Sequence, residues 1–114
     1  MIPEITVTDL ATRLKTEDAF VLLDVREPFE LEYAKLTDPR LEVAPISVLS
    51  QQGLAALSAK AQAQDAEILV ICHHGSRSAQ VTAWLLQQGW TNVKSVRGGI
   101  DEYARRVDAS VGVY

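Results

Sequence analysis

The chain has 114 residues and a mass of 12.5 kDa, which is enough for one domain and too little for two. Its hydrophobic share of 47% and charged share of 23% are those of an average globular protein, so a disordered, collagen-like or coiled-coil chain is excluded. The net charge of −4 at pH 7 argues against a nucleic-acid partner.

The chain has no pattern typical of a targeting or membrane-spanning segment. Its longest apolar runs, such as Ile68–Cys72, have five residues, whereas a membrane-spanning helix needs about 20. The first residues lack the basic start and apolar core of a signal peptide, so we expect a cytoplasmic protein with no membrane partner. The single cysteine, Cys72, excludes an internal disulfide and any CxxC redox or zinc pair.

The charged side chains are unevenly distributed along the chain. Residues 1–40 contain 5 basic and 9 acidic side chains, residues 41–71 contain 1 and 3, and residues 72–114 contain 5 and 3. The net charges of these segments are therefore −4, −2 and +2. The only positive segment begins at the only cysteine.

Short apolar runs alternate with amphipathic stretches, which is typical of a parallel α/β sheet. The first 40 residues predict, in chain order, a strand at 5–7, a helix capped by Thr8 and ending near Lys15, a buried strand at 20–25, a helix from Pro28 to about Lys35, and a loop at 36–40. The remainder predicts a strand at 41–44, a mostly helical stretch at 47–64, a central strand at 67–71, a helix capped by Ser78 at 79–88, a strand at 92–96, and a helix at 100–107. These elements predict one doubly wound α/β domain over residues 1–114, with about five mainly parallel strands and helices on both faces of the sheet.

The loop after the central strand, residues 72–77, carries the most chemical information. It begins with Cys72 at the C-terminal end of a strand, where open α/β sheets bind ligands, and it leads into a helix N-terminus, where free N–H groups and the helix dipole favour an anion. Gly75 permits backbone angles that a side chain would forbid, and Arg77 adds a forked, charged donor. We therefore predict that Cys72 is a thiolate nucleophile at neutral pH; the alternative is a buried cysteine with a packing role.

His73 and His74 lie in the same loop. Consecutive residues rarely converge on one ion, and the chain has no second cysteine, so we predict no metal at this site. We expect the two imidazoles to offer N–H donors to an anionic substrate, or to add positive charge when protonated. The alternative is that they are exposed polar residues at the mouth of a pocket.

Three segments carry a family resemblance: LLDVRE at 22–27, CHHGSR at 72–77 and GGIDEY at 98–103. In this order and spacing they resemble the DVRE, CxxGxR and GGxxxW segments of the rhodanese family of sulfurtransferases, in its single-domain form, with Tyr103 where Trp is usual. The ending, residues 107–114, is similar to the tail of rhodanese domains fused to sulfur-carrier adenylyltransferases. In one departure, residues 33–40 replace the family's Gly-His-Ile-Pro-Gly-Ala turn, so the pocket wall on that side differs.

The resemblance implies a thiosulfate sulfurtransferase that works in two steps without a cofactor or a metal. Cys72 would take a sulfane sulfur from an anionic donor such as thiosulfate, forming a persulfide, and cyanide in vitro or a thiol or protein in the cell would then accept it. The loop residues His73, His74, Gly75, Ser76 and Arg77 are the predicted substrate-binding set.

Two charged residues of the DVRE segment also belong at this edge of the sheet. We assign Arg26 to the substrate-binding residues, with a structural ion pair as the alternative. For Asp24 we expect a structural role, because a carboxylate beside a thiolate would oppose its ionisation.

Two other functions fit parts of the same pattern. A sulfur-relay or persulfide-binding module would use the same loop but dock a sulfur-acceptor protein. A cysteine phosphatase also places Cys and Arg around a strand–loop–helix cradle, but it holds five residues between them, and this chain has four. The shorter loop favours sulfur over a phosphoryl group.

Overall fold

A five-stranded parallel sheet forms the centre of the computed structural model, which describes residues 1–114. The strands are β1 (Glu4–Ile5), β2 (Val21–Asp24), β3 (Leu41–Val43), β4 (Ile68–Ile71) and β5 (Val93–Val96). They are arranged in the order β1-β5-β4-β2-β3, and every neighbouring pair is parallel. The central strand is β4, whose four apolar residues are all buried, because both faces of a parallel sheet are covered.

Helices cover both faces of the sheet. The α-helices are α1 (Val7–Leu14), α2 (Ile46–Gln52), α3 (Ser76–Gln87) and α4 (Gly99–Arg106), and three short 3-10 helices lie at Pro28–Glu32, Gly53–Ala56 and Ala109–Val111. Apolar residues of α2 and α3 pack on one face, and those of α1 and α4 pack on the other. This confirms the predicted doubly wound α/β fold. None of the helices is both long enough and apolar enough to span a lipid bilayer.

The predicted boundaries near the N-terminus are wrong by a few residues. Thr6, and not Thr8, caps α1, because its Oγ1 accepts the N–H of Asp9 at 3.1 Å. Val7 therefore belongs to the helix and packs into the core from its first turn. The predicted helix at 28–35 is a 3-10 helix that ends at Glu32.

The predicted long helix at 47–64 is also wrong. Helix α2 ends at Gln52, because the chain turns at Gly53 with a φ of 62°. A 3-10 helix and turns follow in place of a continued α-helix. A positive φ is favourable for glycine and costly for residues with a Cβ, so this glycine ends the helix.

Helix α3 begins three residues before the predicted start at Ala79. Gly75 is its N-cap, so the loop after β4 contains only residues 72–75. Arg77 consequently lies in the first turn of the helix. The predicted capping role of Ser78 is wrong, since this residue is inside the helix.

Candidate active site

Cys72 lies directly after β4, at the C-terminal edge of the sheet, and is 1% exposed. Its Sγ accepts the backbone N–H of Gly75 at 3.1 Å and that of Ser78 at 3.3 Å. The hydroxyl Oγ of Ser78 lies 3.4 Å from the same sulfur. Two backbone N–H groups thus donate to Sγ, an arrangement that stabilises negative charge on sulfur. The Ser78 hydroxyl is not a third donor to the sulfur, because it donates to the carbonyl oxygen of Gly75.

Ser78 belongs to a buried pair of hydroxyl groups behind the sulfur. Its Oγ is 2.8 Å from the Oγ of Ser95 on β5, and its hydroxyl also faces the carbonyl oxygen of Gly75 at 3.1 Å. Ser78 was predicted only as a helix cap, and its contact with the sulfur was not predicted. The spacing was a signal for it: residues three apart in a helix lie on the same face, so a serine three residues after Gly75 is expected to face the loop.

The N-terminus of α4 fixes the other side of the loop. The N–H of Ile100 donates to the carbonyl oxygen of Cys72 at 2.9 Å, and the N–H of Asp101 donates to that of His73 at 3.0 Å. Gly99, with a φ of 63°, makes this approach possible, since a Cβ there would overlap both carbonyl oxygens. Gly99 of the GGIDEY segment therefore allows the start of α4 to hold the loop in place.

Arg77 forms a two-pronged ion pair with Glu30. Nη1 donates to Oε2 at 2.6 Å and Nη2 donates to Oε1 at 2.8 Å. The Glu30 carboxylate also accepts the N–H of Glu27 at 2.8 Å and the hydroxyl of Tyr114 at 2.9 Å. The guanidinium that we expected to face the substrate is thus directed at a carboxylate of the same chain.

Glu30 was not among the site residues predicted from the sequence. Glu30 occupies the third position of the 3-10 helix Pro28–Glu32 and forms a capping box with Glu27. The spacing of two glutamates around Pro28 was a local signal for that capping box. No local signal linked Glu30 to Arg77, because 47 residues separate them.

The ion pair makes stability depend on acid pH. Hydrogen bonds from Arg77 lower the pKa of Glu30 from 4.5 to about 2. Because the folded state has the lower pKa, the stabilisation is present above about pH 4.5 and is lost as the pH falls to about 2. We expect the free energy of unfolding of the wild type to fall by about 3 kcal/mol more than that of Glu30→Gln across this range. Urea unfolding at each pH measures the difference, and parallel curves for the two proteins would contradict it.

Arg26 has a structural position, which contradicts its predicted role in substrate binding. Its side chain is fully buried, and it donates to the Asp24 carboxylate at 2.8 Å and to the carbonyl oxygen of Ala34 at 2.7 Å. The Tyr114 hydroxyl accepts a further hydrogen bond at 3.1 Å. Buried charges require such pairing, so Arg26 connects the end of β2 to residues that follow the 3-10 helix. The structural role expected for Asp24 agrees with this geometry.

The two histidines of the loop differ in their surroundings. The ring of His73 stacks between those of His74 and Tyr114, with centroid distances of 3.8 Å on each side. Burial lowers the pKa of His73, so its imidazole is neutral at pH 7. His74 is exposed, and its Nδ1 lies 3.8 Å from Oδ2 of Asp101. Ser76, the remaining residue of the predicted set, is the exposed first residue of α3.

His73, His74 and Asp101 offer three ligand atoms within 4.8 Å of one another. The rings of His73 and His74 are stacked on each other, with an angle of 29° between their planes. The absence of a metal ion from this site stays a prediction.

A polar cleft of about 490 Å³ borders the loop at His74. Its lining has no hydrophobic residue and consists of His74, Gly98, Asp101, Glu102, Arg105 and Arg106. The largest cavity, about 640 Å³, lies instead around Phe20 and Arg40, and Cys72 does not line it. Cys72 lines neither of these two cavities, and the polar cleft meets the sulfur loop at His74.

Comparisons with known proteins agree with this architecture. The family described as "Rhodanese-like domain" matches residues 6–106. A sulfurtransferase of Allochromatium vinosum is 30% identical over 105 residues, which are 92% of this chain and 91% of that protein. The rhodanese-like/PpiC domain-containing protein 12 of Arabidopsis thaliana, a chloroplastic protein, is 35% identical over 99% of this chain, which spans only 38% of that relative.

A solved structure gives the same result for the fold. The crystal structure of a rhodanese-related protein from Thermoplasma volcanium matches 92% of this chain and 93% of its own, with a TM-score of 0.73 and 34% identity. The family match over residues 6–106 includes strands β2 to β5 and the loop that carries Cys72. The chain therefore belongs to the rhodanese family of sulfurtransferases.

Proposed function

We propose that this protein takes a sulfane sulfur onto Cys72 as a persulfide and passes it to a thiophilic acceptor. The observation that carries the proposal is the convergence of two backbone N–H groups, those of Gly75 and Ser78, on Sγ. Thiosulfate is a donor and cyanide an acceptor suited to assay, and a thiol would accept the sulfur in the cell.

In the first step, the Cys72 thiolate attacks the outer sulfur of the donor. A new S–S bond forms at Sγ, the S–S bond of the donor breaks, and the leaving group departs with that electron pair, as sulfite in the case of thiosulfate. The N–H groups of Gly75 and Ser78 stabilise the negative charge before and during this exchange.

In the second step, the acceptor attacks the outer sulfur of the Cys72 persulfide. The S–S bond breaks, and Sγ leaves as a thiolate that the same N–H groups stabilise. The acceptor has gained one sulfur atom and the enzyme is restored. Neither step requires an added oxidant or reductant.

A second candidate is sulfur relay to a protein partner. Phe29 and Tyr33 flank Glu30 and are 62% and 61% exposed. The ring of Tyr33 stacks on Tyr114 at 5.7 Å, and Tyr114 stacks on His73 of the loop. An exposed aromatic surface that continues into the sulfur loop suits a protein acceptor. A phosphatase fits less well, because the loop before α3 is short and Arg77 faces Glu30.

Intact-protein mass spectrometry tests the proposal. Wild-type protein is incubated with thiosulfate or with a small persulfide, and a gain of one sulfur atom that cyanide removes is the expected result. If neither donor adds sulfur, the proposed function is wrong. Slow turnover with cyanide together with fast transfer to a protein thiol would favour relay, and equal rates would favour the small-molecule enzyme.

A further inference from the structure

We propose that the preferred donor is the persulfide of a thiol that carries no other charged group, and not an anion such as thiosulfate. This inference rests on the proposed function and narrows its donor class. It follows from the charges at the carboxyl edge of the sheet, where each arginine is paired with a carboxylate.

Arg77 is the cation nearest in sequence to the sulfur loop, and it is held away from a donor. Both of its terminal nitrogens are bonded to Glu30, at 2.6 and 2.8 Å. Glu30 is itself buried and fixed by the N–H of Glu27 and the hydroxyl of Tyr114. Moving Arg77 to an incoming anion would leave a buried carboxylate without its counter-charge, which is unfavourable.

The other arginines at this edge are also neutralised. Each has a carboxylate partner within 3.8 Å, in the pairs Arg26–Asp24, Arg97–Glu4, Arg105–Asp101 and Arg106–Glu102. The two pairs on α4 line the polar cleft beside His74. The approach to the loop therefore has mixed charge and no unpaired arginine.

The histidines add little positive charge. His73 is neutral at pH 7, because burial lowers its pKa. The imidazole of His74 is exposed and lies near Asp101, whose carboxylate offsets any positive charge on it. Only the N–H groups of Gly75 and Ser78 remain as donors to the reacting sulfur.

The two donor classes place very different charges in this site. Thiosulfate carries two negative charges, and its attack by a thiolate brings three together. A protonated persulfide brings only the charge of the thiolate. In the second case the thiolate attacks the outer sulfur, a new S–S bond forms at Sγ, the donor S–S bond breaks, and the electron pair leaves on the donor thiolate. The proton stays on the transferred sulfur, so atoms and charges balance.

A matched pair of donors tests the inference on the wild-type protein. The persulfides of 2-mercaptoethanol and of 2-mercaptoethanesulfonate differ by one negative charge on the leaving group. Rates of Cys72 loading are measured by rapid-quench mass spectrometry. Each rate is divided by the rate at which the same donor reacts with a small thiol in solution, which corrects for the intrinsic reactivity of the donor. We expect the uncharged donor to be faster by about tenfold, and thiosulfate to be slower than either. Equal normalised rates, or a preference for the charged donors, would overturn the inference.

A variant pair tests the cause. Glu30→Gln removes the carboxylate that neutralises Arg77, and we expect the ratio of charged-donor to uncharged-donor rates to rise by about tenfold. Glu32→Gln removes one exposed charge from the same 3-10 helix, and its ratio is expected to stay near that of the wild type, because water and salt screen it. Both rates are measured on the same variant, so a general loss of activity lowers them equally and leaves their ratio unchanged. An unchanged ratio in Glu30→Gln would contradict the role of the ion pair, whereas failure of every donor to load Cys72 would contradict the proposed function itself.

Discussion

Cys72→Ser is expected to abolish sulfur loading while the protein remains folded. The substitution replaces one buried atom, and the N–H groups of Gly75 and Ser78 can donate to the new hydroxyl, so the cost in stability is about 1 kcal/mol. A serine hydroxyl does not ionise at neutral pH and cannot form a persulfide, so the nucleophile is lost.

The measurement uses wild type and Cys72→Ser in parallel. Intact mass after incubation with a persulfide donor reports loading, and urea unfolding reports stability. A sulfur adduct on the variant that cyanide removes would show that the transferring atom is elsewhere, and the mechanism would be wrong.

Gly99→Ala is expected to disturb both the fold and the sulfur site. The added Cβ would overlap the carbonyl oxygens of Cys72 and His73, and these are backbone atoms that cannot move aside. Relieving the overlap breaks the bonds from Ile100 and Asp101 that hold the loop. We expect a loss of about 3–4 kcal/mol and a large fall in the rate of Cys72 loading.

Gly53→Ala provides the matched control. Gly53 has nearly the same φ, 62° against 63° for Gly99, but a Cβ there meets nothing within 4 Å. Its substitution therefore reports the backbone strain alone, about 1–2 kcal/mol, without displacing the loop. Similar losses of stability and of loading rate in both variants would show that contact between Gly99 and the loop has no special role.

Much of the fold could be predicted because its signals are local. The run ILVI at 68–71 is apolar throughout, and this pattern indicates a central strand wherever it occurs in an α/β chain. The boundaries were less certain, because Thr6 and Thr8 are both able to cap a helix and only the packing of Val7 decides between them. The prediction of a helix over 47–64 is wrong. The composition of this stretch favours a helix, but the turn at Gly53 ends the helix at Gln52.

The candidate site could be predicted only in part. A cysteine, a glycine and a helix start lie within a few residues, so the chain itself brings them together, and the structure places the N–H groups of Gly75 and Ser78 on Sγ. The catalytic role of Cys72 stays a prediction until loading is measured. Arg26 was misassigned, because its position at a strand end does not reveal that the side chain folds inward to Asp24 and Ala34.

The net charge around Cys72 in the folded chain could not be predicted from the sequence. Residues 72–114 carry a net charge of +2, which by itself indicates a positive setting for Cys72. In the folded chain, Glu30 and Glu4 of the negative N-terminal segment pair with Arg77 and Arg97. Periodicity, turns and the order of motifs are properties of neighbouring residues, so the sequence alone determined the family, the sheet and the place of the thiol. Electrostatic interaction depends on distance in space, so only the tertiary structure decided which charges remain free to meet a substrate.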